Sequence, residues 1–168
     1  MVLQNLTIIA AIGKGYELGY KNDLIWTFRE DLKTFKEITM GKYIVMGENT
    51  YRSLPVRLVG RKYLVLSNNL KDIEEGQVFG SLDQFLSFAR NTHEEIFVCG
   101  GGMVYALLLP YTNKMILTEI EDEFPDATVH FPRFDKDEWD KEKGNILTGT
   151  TRGCEISYSR NIYKRIKP

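Results

Sequence analysis

Cysteine is scarce: Cys99 and Cys154 are the only two in a chain of 168 residues, they lie far apart, and they form no C-x-x-C pair. That argues against a disulfide framework or a zinc site and makes a reducing compartment the default. Long apolar runs are also lacking, and no window approaches the roughly 18 uninterrupted apolar residues of a membrane span. The opening Met1-Val2-Leu3-Gln4-Asn5 has no basic region followed by an apolar core, so the protein is expected in the cytosol. A formal net charge of −1 removes any general attraction to nucleic acid or to a membrane surface. The acidic stretch from Glu119 to Glu142 and the basic tail from Arg160 to Lys167 offset each other, and the tail's alternating basic residues read as a solvated strand. No repeat or low-complexity stretch interrupts the chain, and no metal site is expected. One domain over residues 1–168 is large enough to bury roughly 70% of its unfolded surface and still form a ligand cleft.

What is present centres on Asn22 to Lys36, a loop running into a helix. Thr27-x-x-Glu30 has the form of a capping box, and Phe28, Leu32, Phe35 and Ile38 recur at helical spacing. That spacing puts Asp31 on the apolar face, where a carboxylate is costly unless something polar meets it. The bland alternative is an acid in a first helical turn, favoured by the helix dipole by about 0.3–1 kcal/mol. The functional alternative is an acid that recognises a ligand carrying paired N–H donors.

The rest of the chain alternates strand and helix early and turns to strands late. Leu6 to Ile12 reads as a strand buried on both faces, near the middle of a sheet. Gly13-Lys14-Gly15 resembles a dinucleotide fingerprint only superficially, because a loop and not a helix follows. Lys42 to Gly47 and Arg61 to Ser67 read as strands, with a helical turn from Glu48 to Leu54 and a loop from Pro55 to Gly60 between them. Gln77 to Phe79 suggests an edge strand, and Ser81 caps a helix whose apolar face is Leu82, Phe85, Leu86 and Ala89. Glu95 to Cys99 is a strand ending in Gly100-Gly101-Gly102 before an apolar helix, a junction where bare backbone meets whatever binds; a flexible turn is the alternative. Lys114 to Ile120 is a further strand, Glu121 to Pro132 an acidic loop, and two late strands fall around Trp139 to Lys143 and Glu155 to Ile166. The order predicts a single α/β domain with a central, largely parallel mixed sheet of about eight strands, an antiparallel carboxyl-terminal strand and about four flanking helices.

Taken together, Ile9-Ala10-Ala11, Gly19 and Asn22 before Trp26, Asp31-Leu32-x-x-Phe35-Lys36, Met46-Gly47-x-x-Thr50-Tyr51-x-Ser53-Leu54, Gly60-Arg61-Lys62, Gly100-Gly101-Gly102-x-x-Tyr105, Leu117-Thr118 and His130-Phe131-Pro132 resemble the bacterial dihydrofolate reductases along nearly the whole chain. The resemblance implies hydride transfer from NADPH to dihydrofolate, with antifolates as plausible inhibitors; a monomer is the simplest expectation for a chain of this size without an obvious assembly element. It implies that Asp31 orients the pterin and favours its protonated form, that Thr118 bonds both Asp31 and the pterin amino group, and that Trp26 holds an ordered water. Substrate contacts are implied for Ile9, Ala10, Leu24, Leu32, Phe35, Leu54 and Leu58, with Arg61 on the glutamate tail. Cofactor contacts are implied for Ala11, Gly19, Gly47, Glu48, Asn49, Thr50, Ser67, Asn68, Cys99, Gly100, Gly101, Gly102, Met103, Val104 and Tyr105. Residues of about 42–92 would form the adenosine-binding subregion, and the Gly100–Gly101 peptide is expected to be cis.

Several positions depart from the family pattern. Ile25 replaces a proline before the tryptophan, one residue is inserted around Ala127 to Val129, and Cys99 stands where an aliphatic or aromatic residue is usual. Glu48 replaces a basic residue that commonly meets the adenosine 2′-phosphate, so weak preference for NADPH, or use of NADH, is expected. Two other functions compete: reduction of another pterin or an aminopyrimidine on the same fold, and a non-catalytic folate- or nucleotide-binding module. Trp26, Asp31, Phe35 and Arg61 weigh against the first, and Asp31, Thr118 and the triple glycine against the second.

Overall fold

The computed structural model describes residues 1–21, 23–54 and 56–166. Asn22 of the family-like motif, Pro55 of the expected loop and Lys167 of the basic tail lie outside the described residues. The chain runs β1 (Leu3–Ile12), β2 (Glu17–Tyr20), β3 (Asp23–Leu24), α1 (Arg29–Thr39), β4 (Tyr43–Gly47), α2 (Glu48–Ser53), β5 (Lys62–Leu66), β6 (Gly76–Phe79), α3 (Leu82–Asn91), β7 (Ile96–Val98), α4 (Gly102–Leu108), β8 (Thr112–Ile120), β9 (Val129–His130), β10 (Trp139–Glu142), β11 (Ile146–Thr151) and β12 (Cys154–Arg165). Among the described residues, no helix is long and apolar enough to cross a membrane.

Eight strands follow one path in the order β10-β12-β8-β1-β7-β4-β5-β6. From β8 across to β6 every pairing is parallel, and β12 closes the sheet antiparallel to β8. The apolar run of β1 explains its central place: Leu6, Ile8, Ile9 and Ile12 are buried because helices or loops cover both faces. Ser81 caps α3 as its sequence suggests, its side chain accepting from the Gln84 N–H at 3.2 Å. Chain excursions from β1 and β7 leave in opposite directions along the sheet, and the crevice at the carboxyl ends of such strands is where open α/β sheets bind ligands.

Three details differ from expectation. The capping box at Thr27 does not form: α1 starts at Arg29 with Phe28 at its N-cap and no side-chain cap. Tertiary packing overrides the local signal there, because the Phe28 ring stacks on Tyr158 at 4.2 Å while the Thr27 N–H donates to Thr151 Oγ1. The late region carries a third strand, β11, and β10 and β11 share one edge of β12. The acidic loop contributes β9, which forms a small separate sheet with β2 and β3.

That small sheet anchors the loop between β1 and α1. Glu17 is buried, and its two carboxylate oxygens accept from the Gly15 and Phe124 N–H groups, each at 2.7 Å. The Trp26 indole N–H donates to Asp122 Oδ2 at 3.0 Å, and the Thr128 N–H donates to the Gly19 carbonyl at 2.9 Å. The segment holding the inserted residue therefore lies directly on this loop.

Candidate active site

Asp31 sits in the first turn of α1 and faces β8 and β12, its side chain 18% exposed. Thr118 Oγ1 donates to Asp31 Oδ1 at 2.8 Å. A second donor arrives at the same oxygen from Arg160 on β12. Sequence reasoning missed this one, reading the tail as a solvated strand. Sheet register explains the arrangement: Arg160 pairs with Thr118, between the Tyr158–Ile120 and Ile162–Ile116 pairs. The period of two puts those side chains on one face, so the available signal was a charge standing between Tyr158 and Ile162. Burial pushes the Tyr158 phenol above its ordinary value; the Asp31 charge adds to this and Arg160 opposes it.

The water-holding role inferred for Trp26 is not available in this arrangement. An indole has a single N–H, and here it is given to Asp122. Trp26 instead packs with Ile25, Phe28, Ile120 and Tyr158 behind the Asp31 turn. Ile9, Phe35, Leu54 and Leu58 come together in one apolar cluster with Ile44, Met46 and Tyr63. Leu24 on β3 and Leu32 on α1 stand outside this cluster and are 70% and 48% exposed. Ala10 and Ala11 lie on β1 opposite Leu117 and Thr118. Arg61 is buried under the end of α1, with Nε donating to Thr39 Oγ1 at 3.2 Å, Nη1 to the Val59 carbonyl at 2.6 Å, and Nη2 to the Lys36 carbonyl. A guanidinium carries two hydrogens on each terminal nitrogen, so one on each remains for a carboxylate.

A second group of residues forms at the ends of β4 and β7. The Gly47 N–H donates to the Gly100 carbonyl at 2.9 Å, placing the β4–α2 and β7–α4 junctions side by side. The Gly100–Gly101 peptide is cis, as the resemblance implies. Neighbours crowd these glycines: a Cβ on Gly101 would lie 3.2 Å from Thr50 Oγ1, and one on Gly102 would lie 2.8 Å from Val129 Cγ1. Gly19 pairs with that same Val129, which brings it toward the triplet. The Tyr105 hydroxyl donates to the Ile9 carbonyl at 2.9 Å, and burial raises its phenol well above the ordinary range. Cys99 retains some surface as a residue, yet burial pushes its thiol up to about 12.

At the outer side of this group, Glu48 opens α2. Its Oε1 accepts from the Ser67 hydroxyl and from Asn69 Nδ2, and its Oε2 from Arg52 Nε at 2.7 Å. The Ser67 hydrogen bond, followed by Arg52, holds the Glu48 carboxyl below its ordinary value. Val104 is buried, whereas Asn49, Asn68 and Met103 are exposed around this end. The bare, crowded backbone fits a pyrophosphate; the Glu48 carboxylate does not fit a further phosphate beside it. A concavity of about 200 Å³ bounded by Ile12, Tyr16, Glu119, Phe134 and Tyr163 contains none of these groups.

The dihydrofolate reductase profile matches residues 5–165. The chain is a member of the dihydrofolate reductase family. It is 32% identical to the dihydrofolate reductase of Staphylococcus haemolyticus over 96% of each chain, and 36% identical to that of Bacillus subtilis over 80% of this chain and 79% of its relative. Among solved structures, dihydrofolate reductase from Enterococcus faecalis complexed with NADP(H) and RAB-propyl superposes with a TM-score of 0.83 at 25% identity, covering 99% of both chains.

Proposed function

We propose that the chain reduces 7,8-dihydrofolate to tetrahydrofolate with NADPH, acting as a cytosolic monomer. The observation that carries this reading is the Thr118 hydroxyl on Asp31 Oδ1 at 2.8 Å, in a crevice that also presents the glycine cradle. When bound, the nicotinamide supplies a hydride. Asp31 presents Oδ2, which has no protein partner among the described residues, to the adjacent amide and amino N–H groups of a pterin. Thr118 gives its own proton to Asp31 and so keeps its lone pairs free to accept from the pterin amino group. Asp31 is the carboxylate at this end, and it favours the protonated ring while water brings the proton. The apolar cluster of Ile9, Phe35, Leu54 and Leu58 takes the benzoyl group, and the two free Arg61 hydrogens take the tail carboxylate in a fork. Gly47, Thr50 and Gly100 to Gly102 hold the pyrophosphate, within an adenosine subregion of about residues 42–92.

Glu48 carries a finer reading of the same site. With its carboxylate charged and its Ser67 partner engaged, it opposes a 2′-phosphate, so discrimination for NADPH over NADH is weak. The test is consumption of reduced nicotinamide on adding dihydrofolate, run with each dinucleotide. Turnover with both, at comparable rates, is expected. Binding of dihydrofolate without turnover would favour a binding module, and turnover of an aminopyrimidine but not of dihydrofolate would favour the other enzyme reading.

A further inference from the structure

Asp31 is held by two groups of opposite electrostatic consequence. Thr118 is neutral and leaves the carboxylate its charge; Arg160 is always protonated and offsets part of it. The Arg160 side chain is 22% exposed and that of Asp31 18%, so solvent screens the pair only in part. The Gly144 backbone packs against the Arg160 carbonyl, where a Cβ would fall 2.1 Å away, and the Gly144 N–H donates to Asn161 Oδ1 at 2.9 Å, so the β12 backbone at Arg160 is held by a neighbouring segment. The other charged side chains of the α1 turn, Arg29, Glu30 and Lys33, are exposed.

We infer that Arg160 is a positioning and specificity-determining residue: with Thr118 it fixes Oδ1 of Asp31, and by pairing with the carboxylate it offsets part of the charge that Asp31 presents to a bound ring. The consequence rests on the reading that the site takes a pterin. A neutral ring presenting an amide and an amino N–H is recognised by Oδ2 through hydrogen bonds alone. A more basic heterocycle that binds as a cation, such as a 2,4-diaminopyrimidine, meets the Arg160 charge beside its intended counter-ion and gains less from ionisation than a lone carboxylate would give it. Arg160 therefore favours the neutral substrate edge over cationic mimics of it.

The experiment measures dissociation constants of dihydrofolate and of a 2,4-diaminopyrimidine for the wild type, Arg160→Met and Arg160→Lys. Methionine keeps an apolar stem and removes the charge; lysine keeps the charge. Arg160→Met is expected to bind the diaminopyrimidine roughly tenfold more tightly, as a unit charge removed beside the ligand in a partly screened site implies. Dihydrofolate affinity should change by less than about threefold, and Arg160→Lys should keep the wild-type ratio; a role in folding alone would weaken both ligands together. Arg160→Gln serves if the methionine variant does not fold: it removes the charge and keeps a hydrogen-bonding end, and the same shift in the ligand ratio is expected. An unchanged ligand ratio in the neutral variants overturns the inference. Failure of the wild type to turn over dihydrofolate overturns the parent reading instead, and is seen before any variant is made.

Discussion

Two carboxylates at opposite ends of the site are each met by one hydroxyl and one arginine, yet they are held in different ways. Asp31 takes Thr118 and Arg160 from two neighbouring strands, and its arginine lies 129 residues away in sequence. Glu48 takes Ser67 from β5's end and Arg52 from one turn further along its own helix, and that arginine is 57% exposed. The first constellation is locked by sheet register, since neither donor moves without disturbing the β8–β12 ladder. The second is local and solvated, and an exposed i,i+4 pair contributes only about 0.3–0.5 kcal/mol. A locked carboxylate suits the reacting end; a loosely held one suits a choice between two similar dinucleotides.

The largest expected effect separates the two ends outright. Asp31→Asn should lower turnover by about 10²–10⁴ while leaving the dissociation constant of the dinucleotide within error, as steady-state rates and equilibrium titration would show. A comparable loss of dinucleotide affinity would break the comparison. Next comes Thr118→Val, which removes the neutral donor and costs about 1–3 kcal/mol of transition-state binding, or roughly tenfold or more in kcat/KM. Because Thr118 is buried at 4% exposure, its melting temperature should be followed alongside, so that a folding defect is told from a kinetic one.

At the other end, Glu48→Arg should raise the ratio of kcat/KM for NADPH over NADH by roughly tenfold, through one repulsive charge exchanged for an attractive one. A strong wild-type preference for NADPH that Glu48→Arg leaves unchanged would remove Glu48 from the account. The smallest effect is in pH. Glu48 is held below its ordinary value of 4.5, so it stays charged through the neutral and mildly acidic range. For a depressed carboxyl, whatever the charged form contributes is present above the ordinary value and is lost as pH falls through the lowered one. The NADPH-to-NADH ratio should therefore be flat above about 4.5 and climb only beneath it. A climb beginning near neutrality would point to another group.

Legibility in the sequence tracked how local each signal was. The run of β1, the Ser81 cap of α3 and the triple glycine before α4 are written in adjacent residues, and each appears where its pattern puts it. Even β6, only four residues long, takes its edge position. Features decided by distant partners were not readable in the same way. Thr27-x-x-Glu30 is a sound local cap, but the Phe28–Tyr158 stack shifts the helix start. β9 and β11 are short or largely exposed strands whose existence depends on β2 and β12. The Arg160–Asp31 pair depends on register between β8 and β12, which no single stretch encodes. Trp26 illustrates the same limit, because its N–H partner Asp122 is supplied by a loop 96 residues on.

The central claim is that Asp31 is the ionised group that orients the pterin and promotes its protonation, while the dinucleotide is held elsewhere. It is tested most directly by the turnover of Asp31→Asn with dihydrofolate across pH, with dinucleotide binding measured in parallel. The account predicts unchanged dinucleotide binding, most turnover lost at neutral pH, and partial recovery in acid, where the substrate arrives already protonated. Turnover at neutral pH equal to that of the wild type would contradict it.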